Sequence, residues 1–417
     1  MKISRRSVLR LSGLGAAMMA LTGCRISANA AVGGQLTQWL QSLLGGQDAS
    51  SVASSAASAS SAASSVVSSS ASSAVSSAAP ASSEAASAVV LPTYDADPLT
   101  GEARRKGGRI VGVMVNNISY SEKQDARPQR GIGSADLLIE CKVEGGITRL
   151  CGVFYDVDAI PEVGPLRSGR DQFLQLLMPW QALYYHDGES IFCTQFVSVY
   201  GYSGLNIGGK NYFKTPVHAH VAHRDSRGRN VAYEHTEFTS GKEIRQAAAN
   251  AGIDVETPCE GTLFQFADYR TNAVIAPEKA ATSIYITHSN SYKTEFAYSR
   301  SDRCYKMSMY RPRTKKVEAT VDELTGKQLT FTNVVVCFAS MAAYAGDSHD
   351  VQQVNYVEGG ELLVFTRGGV VTGHWEKPHP TQPLKLYGED GAELLLNRGR
   401  TYLAIVDDDE WSSFNYQ

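Results

Sequence analysis

The chain has 417 residues, enough for two or three domains. With 43% hydrophobic and 19% charged residues it has a globular composition, which excludes a wholly disordered chain. Its 39 Lys and Arg against 42 Asp and Glu leave a net charge of −3, which argues against a nucleic-acid binder held by bulk positive charge.

The first residues read as an address. Ser4-Arg5-Arg6-Ser7 precedes an acid-free apolar stretch from Leu9 to Leu21 that is too short for an ordinary membrane span. The stretch ends in Leu21-Thr22-Gly23-Cys24, a lipobox. Small side chains suit the peptidase cut, and the Cys24 thiol is the lipid acceptor. Residues 1–23 are therefore predicted to be a signal peptide. Its arginine pair is twin-arginine-like, and such pairs also occur in the charged region of Sec signals. These features predict a lipoprotein anchored on the outer, extracytoplasmic face of the cell membrane through lipid on Cys24.

Residues 24–94 read as a tether. Leu36, Trp39, Leu40, Leu43 and Leu44 fall on one helical face, which would suit either the headgroup region of a membrane or a short frayed helix. From Ala49 to Val89, 34 of 41 residues are Ser or Ala, so this low-complexity linker holds nothing to build a core. As a coil, roughly 70 residues would reach about 45 Å r.m.s..

From Arg109 the pattern becomes that of a folded body. Arg109 to Val115 is a buried-strand run. Asp136–Val143 and Ile147–Tyr155 flank Glu144-Gly145-Gly146, a hairpin signal. Asp171 to Leu177 and Lys242 to Ala251 have helical spacing, the second ended by Gly252, and Ala182 to His186 is a short strand. Residues 95–275 thus read as a mixed α/β domain. Residues 276–417 read as a β-rich domain with short strands at 283–287, 296–298, 305–310, 334–338, 361–366 and 370–375. Three more, at 384–387, 392–396 and 401–406, suggest a closing meander. The fold class is α+β.

Several motifs resemble the YerB-like lipoproteins, the family of uncharacterised domain 3048 with its N- and C-terminal parts. They are Met114-Val115-Asn116-Asn117, Ala126-Arg127-Pro128-Gln129-Arg130-Gly131, Glu144-Gly145-Gly146-Ile147-Thr148-Arg149 and Val163-Gly164-Pro165-Leu166-Arg167-Ser168-Gly169-Arg170. In the C-terminal part they are Asn333 to Val336 and Gly373-His374-Trp375-Glu376-Lys377. The sequence departs from the family at Asn116, where Asp is usual, and in the stretch 200–235. The resemblance implies a two-domain bacterial lipoprotein and no settled reaction.

Arg127, Glu140, Glu144, Arg149, Arg167, Arg170 and Asp171 cluster in sequence around Gly-rich turns. Forked guanidiniums suit carboxylates or phosphates, so these residues are candidates for an anion or ligand site. A buried Arg–Glu network is the competing reading. His186 and Asp187 at a strand end are candidates for acid–base chemistry, though no nucleophile motif accompanies them. His218, His220 and His223 read as a hydrated loop, with metal ligation the weaker alternative. Beyond Cys24 there are six cysteines and no CxxC spacing. Cys141 and Cys151 could face each other across the hairpin, and buried free thiols are the alternative. The leading function is a non-catalytic binding or scaffolding factor of the cell envelope, whose partners are the membrane and a cell-wall polymer or envelope protein, with no nucleic acid and no cofactor. An envelope hydrolase or transferase using His186, Asp187 and the hairpin carboxylates is the alternative. Replacing Cys24 with Ala should move the protein out of the membrane fraction or leave its leader uncleaved. Normal processing with full membrane retention, read by fractionation and mass, would contradict the anchor.

Overall fold

The computed structural model describes residues 96–208, 218–258 and 264–417. The leader, Cys24, the tether and Cys259 lie outside the described residues. Among the described residues, no helix is long and apolar enough to cross a membrane.

Chain order gives β1 (Val111–Asn116), β2 (Leu137–Lys142), β3 (Thr148–Phe154) and α1 (Asp171–Leu177). Next come β4 (Leu183–Tyr185), α2 (Ile191–Val199), β5 (Asn206–Gly208), β6 (His218–Ala219), β7 (His223–Arg224), β8 (Glu237–Phe238) and α3 (Gly241–Ala251). Apart from the short pairs Gln265–Phe266 with Leu395–Leu396 and Met341–Ala343 with Gln352–Val354, the later strands are β9 (Lys279–Ala280), β10 (Ser283–Ser289), β11 (Tyr292–Ser299), β12 (Cys304–Arg311), β13 (Lys316–Ala319) and β14 (Thr330–Phe331). They continue with β15 (Asn333–Ala339), β16 (Gly360–Thr366), β17 (Gly369–Glu376), β18 (Lys385–Gly388), β19 (Thr401–Asp407) and β20 (Asn415–Tyr416).

Local chemistry explains the best-defined elements. The β2–β3 hairpin turns through Gly145 and Gly146 at φ of 63° and 66°, a conformation that costs glycine little. Helix α3 begins at Ser240, whose side chain accepts from the Glu243 amide. It ends at Gly252 in the left-handed region.

Twelve strands form one mixed sheet in the order β9-β17-β16-β15-β19-β2-β3-β1-β4-β5-β6, with β18 on β17. Strand β19 lies parallel to both β15 and β2, and so joins the N-terminal strands to the C-terminal ones. The expected closing meander is therefore corrected. Only β18 continues it, antiparallel to β17. Leu395–Leu396 pairs instead with Gln265–Phe266, and β19 leaves for the sheet interior. All seven β19 residues are buried, so its apolar run is satisfied by parallel neighbours on both sides. A six-stranded sheet, β13-β12-β11-β10-β20 with β14 on β12, is antiparallel throughout.

One apolar core lies between the two sheets. Val113, Leu138 and Leu150 of the N-terminal strands share it with Ile284, Phe296, Tyr305, Val334 and Tyr402. Helix α3 contributes Ile244, Ala247 and Ala248 to the same core. The opposite face of the large sheet is covered in part by α1: a side chain on Gly112 would collide with Leu177.

A buried acid faces this core. Glu140 on β2 is 1% exposed. Its oxygens accept hydrogen bonds from the Thr148, Thr294 and Tyr402 hydroxyls at 2.6, 2.9 and 2.6 Å, and from the Asn117 amide at 3.4 Å. Thr294 and Tyr402 come from the C-terminal third of the chain, Asn117 and Thr148 from the first strands. Glu140→Ala leaves buried hydroxyl donors without an acceptor and should therefore cost at least about 1–3 kcal/mol, the range for a buried polar group left unsatisfied. Tyr402→Phe, which removes one of these donors, should cost about 0.5–1.5 kcal/mol, the range for a single hydrogen bond. Denaturant unfolding of the two variants beside the parent checks both figures.

Candidate functional site

The seven clustered residues do not meet at one point, and strand periodicity is the reason. In the register of β1, β2 and β3, Val115 faces Leu150 and Glu140 faces Leu150, whereas Asn116 and Cys141 face Arg149. Side chains alternate along a strand, so Glu140 and Arg149 stand on opposite faces of the sheet.

On the α1 face, Glu144 lies between two arginines. Arg149 Nη2 donates to Glu144 Oε2 at 3.3 Å, and Arg170 Nε donates to Glu144 Oε1. Arg149 also caps the Ser168 carbonyl at 2.7 Å, and Arg170 its neighbour's, Gly169, at 2.6 Å. Burial alone would raise the Glu144 carboxyl, but the two guanidiniums outweigh it and hold it below the usual range. Burial and the neighbouring Arg170 push Arg149 well down. This is the Arg–Glu network weighed against the ligand site in the sequence. Arg167 stands apart, a third exposed, with Glu234 at 3.9 Å. Asp171, in the first turn of α1, is fully buried and accepts from the Tyr344 hydroxyl at 2.8 Å. Its other oxygen has no hydrogen-bond partner, and burial pushes its pKa up to about 6.

On the other face, Arg127 is tied to Glu140 through Asn117. Arg127 Nε donates to Asn117 Oδ1 at 2.9 Å, and Nη1 donates to the Tyr310 carbonyl at 2.8 Å. Beside it opens a cavity of about 230 Å³, whose walls include Arg127, Gln129, Arg311, Glu318 and Thr320. Arg311 is held by Asp125 at 2.9 Å and Glu318 at 3.0 Å. The Thr320 hydroxyl is buried and has no hydrogen-bond partner. Arg127 and Gln129 belong to the loop after β1, and Arg311 to Thr320 belong to the second sheet and its edge, so both halves of the chain build this cavity. Arg311 and Thr320 carry no motif in the sequence; only the packing of the two sheets brings them to Arg127.

His186 and Asp187 point to different places. His186 has no exposed surface, and its ring nitrogens lie 2.7 Å from the Gly188 carbonyl and 2.6 Å from Asn206 Oδ1. Burial lowers its pKa despite Glu189 at 3.6 Å. Both nitrogens are therefore committed inside the protein. Asp187 instead joins His220 and Glu237, with one donor atom from each within 4.8 Å of the others. His223 is separate, between Glu162 at 2.8 Å and Glu243 at 2.9 Å. For His218 only its place in β6 is described. Glu237 gave no signal in the sequence, because it reaches the cluster through the two-residue pairing of β7 with β8.

The cysteine alternatives also resolve. Cys141, Cys151, Cys193, Cys304 and Cys337 are free thiols. In the hairpin register Cys151 faces Ile139 and Cys141 faces Arg149, a two-residue offset that keeps the two thiols from direct opposition.

The architecture is that of a β-rich α+β protein in which N- and C-terminal segments share one large sheet. The chain belongs to the YerB-like family: a protein of unknown function (DUF3048) N-terminal domain matches residues 99–254, and the DUF3048 C-terminal domain matches residues 283–403. A relative described as "Putative lipoprotein YerB", from Bacillus subtilis strain 168, is 26% identical over 319 residues, covering 75% of this chain and 86% of that protein. The crystal structure of the YerB protein from Bacillus subtilis superposes with a TM-score of 0.61 at 24% identity, covering 77% of this chain and 99% of that one. That likeness establishes the fold.

Asp171 yields a pH prediction. A carboxyl whose folded pKa is raised from about 3.9 towards 6 stays protonated in the folded state, so stability is lost as pH rises through that window. Asp171→Asn removes the titration. The variant and the parent should differ little near pH 4, and the variant should be more stable by about 1–3 kcal/mol at pH 7. Thermal melts across pH check the divergence.

Proposed function

We propose that this chain is a lipid-anchored, extracytoplasmic binding protein of the cell envelope, and that its ligand-binding site is the Arg127–Arg311 cavity. The observation that carries the reading is the pair of guanidiniums on the cavity wall beside a buried hydroxyl with no partner. Arginine forks recognise carboxylate and phosphate, and an unpaired buried hydroxyl is a vacant donor for the same anion. About 230 Å³ is room for an anionic group rather than for a whole polymer, which suits one phosphate or carboxylate of a longer wall chain. The anchor rests on the Cys24 lipobox and on the description of the Bacillus relative as a lipoprotein. A tether of roughly 70 residues would let the body reach wall polymer beyond the bilayer surface.

Arg149, Arg170 and Glu144 serve the hairpin in this reading. Their polar groups are turned on one another and on the Ser168 and Gly169 carbonyls.

Calorimetric titration of the full chain with phosphate polymers and wall peptides tests the site. Thr320→Val keeps the shape and deletes the hydroxyl, so folding stability should hold or rise while anion affinity drops. Arg127→Gln should weaken binding by about 1.5–3 kcal/mol, the value of a hydrogen bond to a charged group. Equal affinity in the parent and both variants, or no response to either ligand class, would refute the site.

A further inference from the structure

We propose that Asp187, His220 and Glu237 form a binding site for a divalent transition-metal ion of the zinc class. This site is distinct from the Arg127–Arg311 cavity and does not depend on the reading given for it.

The three donors come from three separate segments: the turn after β4, the residue after β6, and β8. Strands β4, β5 and β6 run parallel, and Asp187 and His220 both follow the carboxyl ends of their strands. That edge is where open α/β sheets place ligands, because the loops leaving it converge over a gap in side-chain packing. One nitrogen and two carboxyl oxygens lie within 4.8 Å of one another. Metal–ligand bonds of about 2.0–2.2 Å let one ion serve donors up to about 4.4 Å apart, so little closure is required.

The surroundings fit a cation. Two carboxyl groups held this close repel unless a proton or a positive ion lies between them. The His220 side chain is 9% exposed and that of Glu237 8%, so bulk water does little to relieve the repulsion. Arg224 Nη2 donates to Glu237 Oε2 at 2.6 Å, which fixes that carboxyl and leaves Oε1 facing His220 Nε2. His220 Nε2, the ring nitrogen hydrogen-bonded to Glu237 Oε1, is the donor that an ion would take over from that bond.

Donor chemistry selects the ion class. One imidazole with two carboxylates suits zinc and its neighbours, whereas calcium takes six to eight oxygen ligands. Three protein ligands leave coordination positions for water or an incoming group. His223 is the internal control. It too lies between two carboxyls, but it spends one ring nitrogen on each of them and its side chain is 40% exposed, whereas His220 meets the carboxyls through Nε2 alone and is 9% exposed.

The test is titration of the chelator-treated full chain with Zn²⁺, repeated with Co²⁺ to read the visible absorption of a nitrogen-ligated ion. The parent should bind one equivalent. His220→Ala and Asp187→Asn should each weaken binding by at least roughly tenfold and His220→Ala should change the Co²⁺ spectrum, while His223→Ala should leave both unchanged. Circular dichroism confirms that each variant is folded; if His220→Ala is not, His220→Gln replaces it. The proposal is overturned if the parent shows no saturable binding, if folded His220 and Asp187 variants bind as the parent does, or if Ca²⁺ binds as tightly as Zn²⁺.

Discussion

The structure turns on a carboxyl group in the middle of its core. Burying an acid is costly unless its oxygens are hydrogen-bonded, and Glu140 obtains its donors from both halves of the sequence. Thr148 and Asn117 are supplied by β3 and by the residue that follows β1. Thr294 and Tyr402 arrive only when the second sheet and β19 are in place. The cost of leaving a carboxyl unsatisfied thus couples the register of β2 and β3 to the docking of strands more than 150 residues away, as the 154- and 262-residue separations of these bonds indicate. The parallel insertion of β19 between β15 and β2 is the backbone counterpart of the same coupling.

That coupling places the cavity. Asn117 bridges Glu140 to Arg127, so the guanidinium at the cavity wall is oriented by the same network that joins the halves. Arg311 approaches from the second sheet and is held by Asp125, a residue of the connection between β1 and β2. The site is therefore a product of the joint, and its preorganisation comes from interior hydrogen bonds rather than from the loops alone.

Local signals in the sequence were sufficient where one or two residues decide the backbone. Gly145-Gly146 defined the hairpin, Gly252 ended α3, and Asp171–Leu177 formed a helix over its whole expected span. Helix α2 carried no such pattern. Ile191, Phe192, Phe196 and Val197 are β-branched or aromatic, and the helix is fixed by the Ser190 cap and by burial of one side. The destination of β19 was not legible either, since an apolar run says that a strand is buried and not beside which neighbours. The site residues follow the same division. Period-two alternation separates Glu140 from Arg149 once the hairpin is drawn. Thr320 and Glu237 acquire meaning only from partners far away in the chain.

Hydrogen exchange of the full chain, with and without a bound phosphate polymer or wall peptide, tests the central claim most directly, because it locates the ligand on one face of the sheet or the other. Added protection at residues 127–129 and 309–321, with 144–149 and 167–170 unchanged, is the predicted result. Protection confined to the Glu144 turn and the Arg167–Arg170 segment would contradict the account, for it would place the ligand on the face that the interior network does not organise.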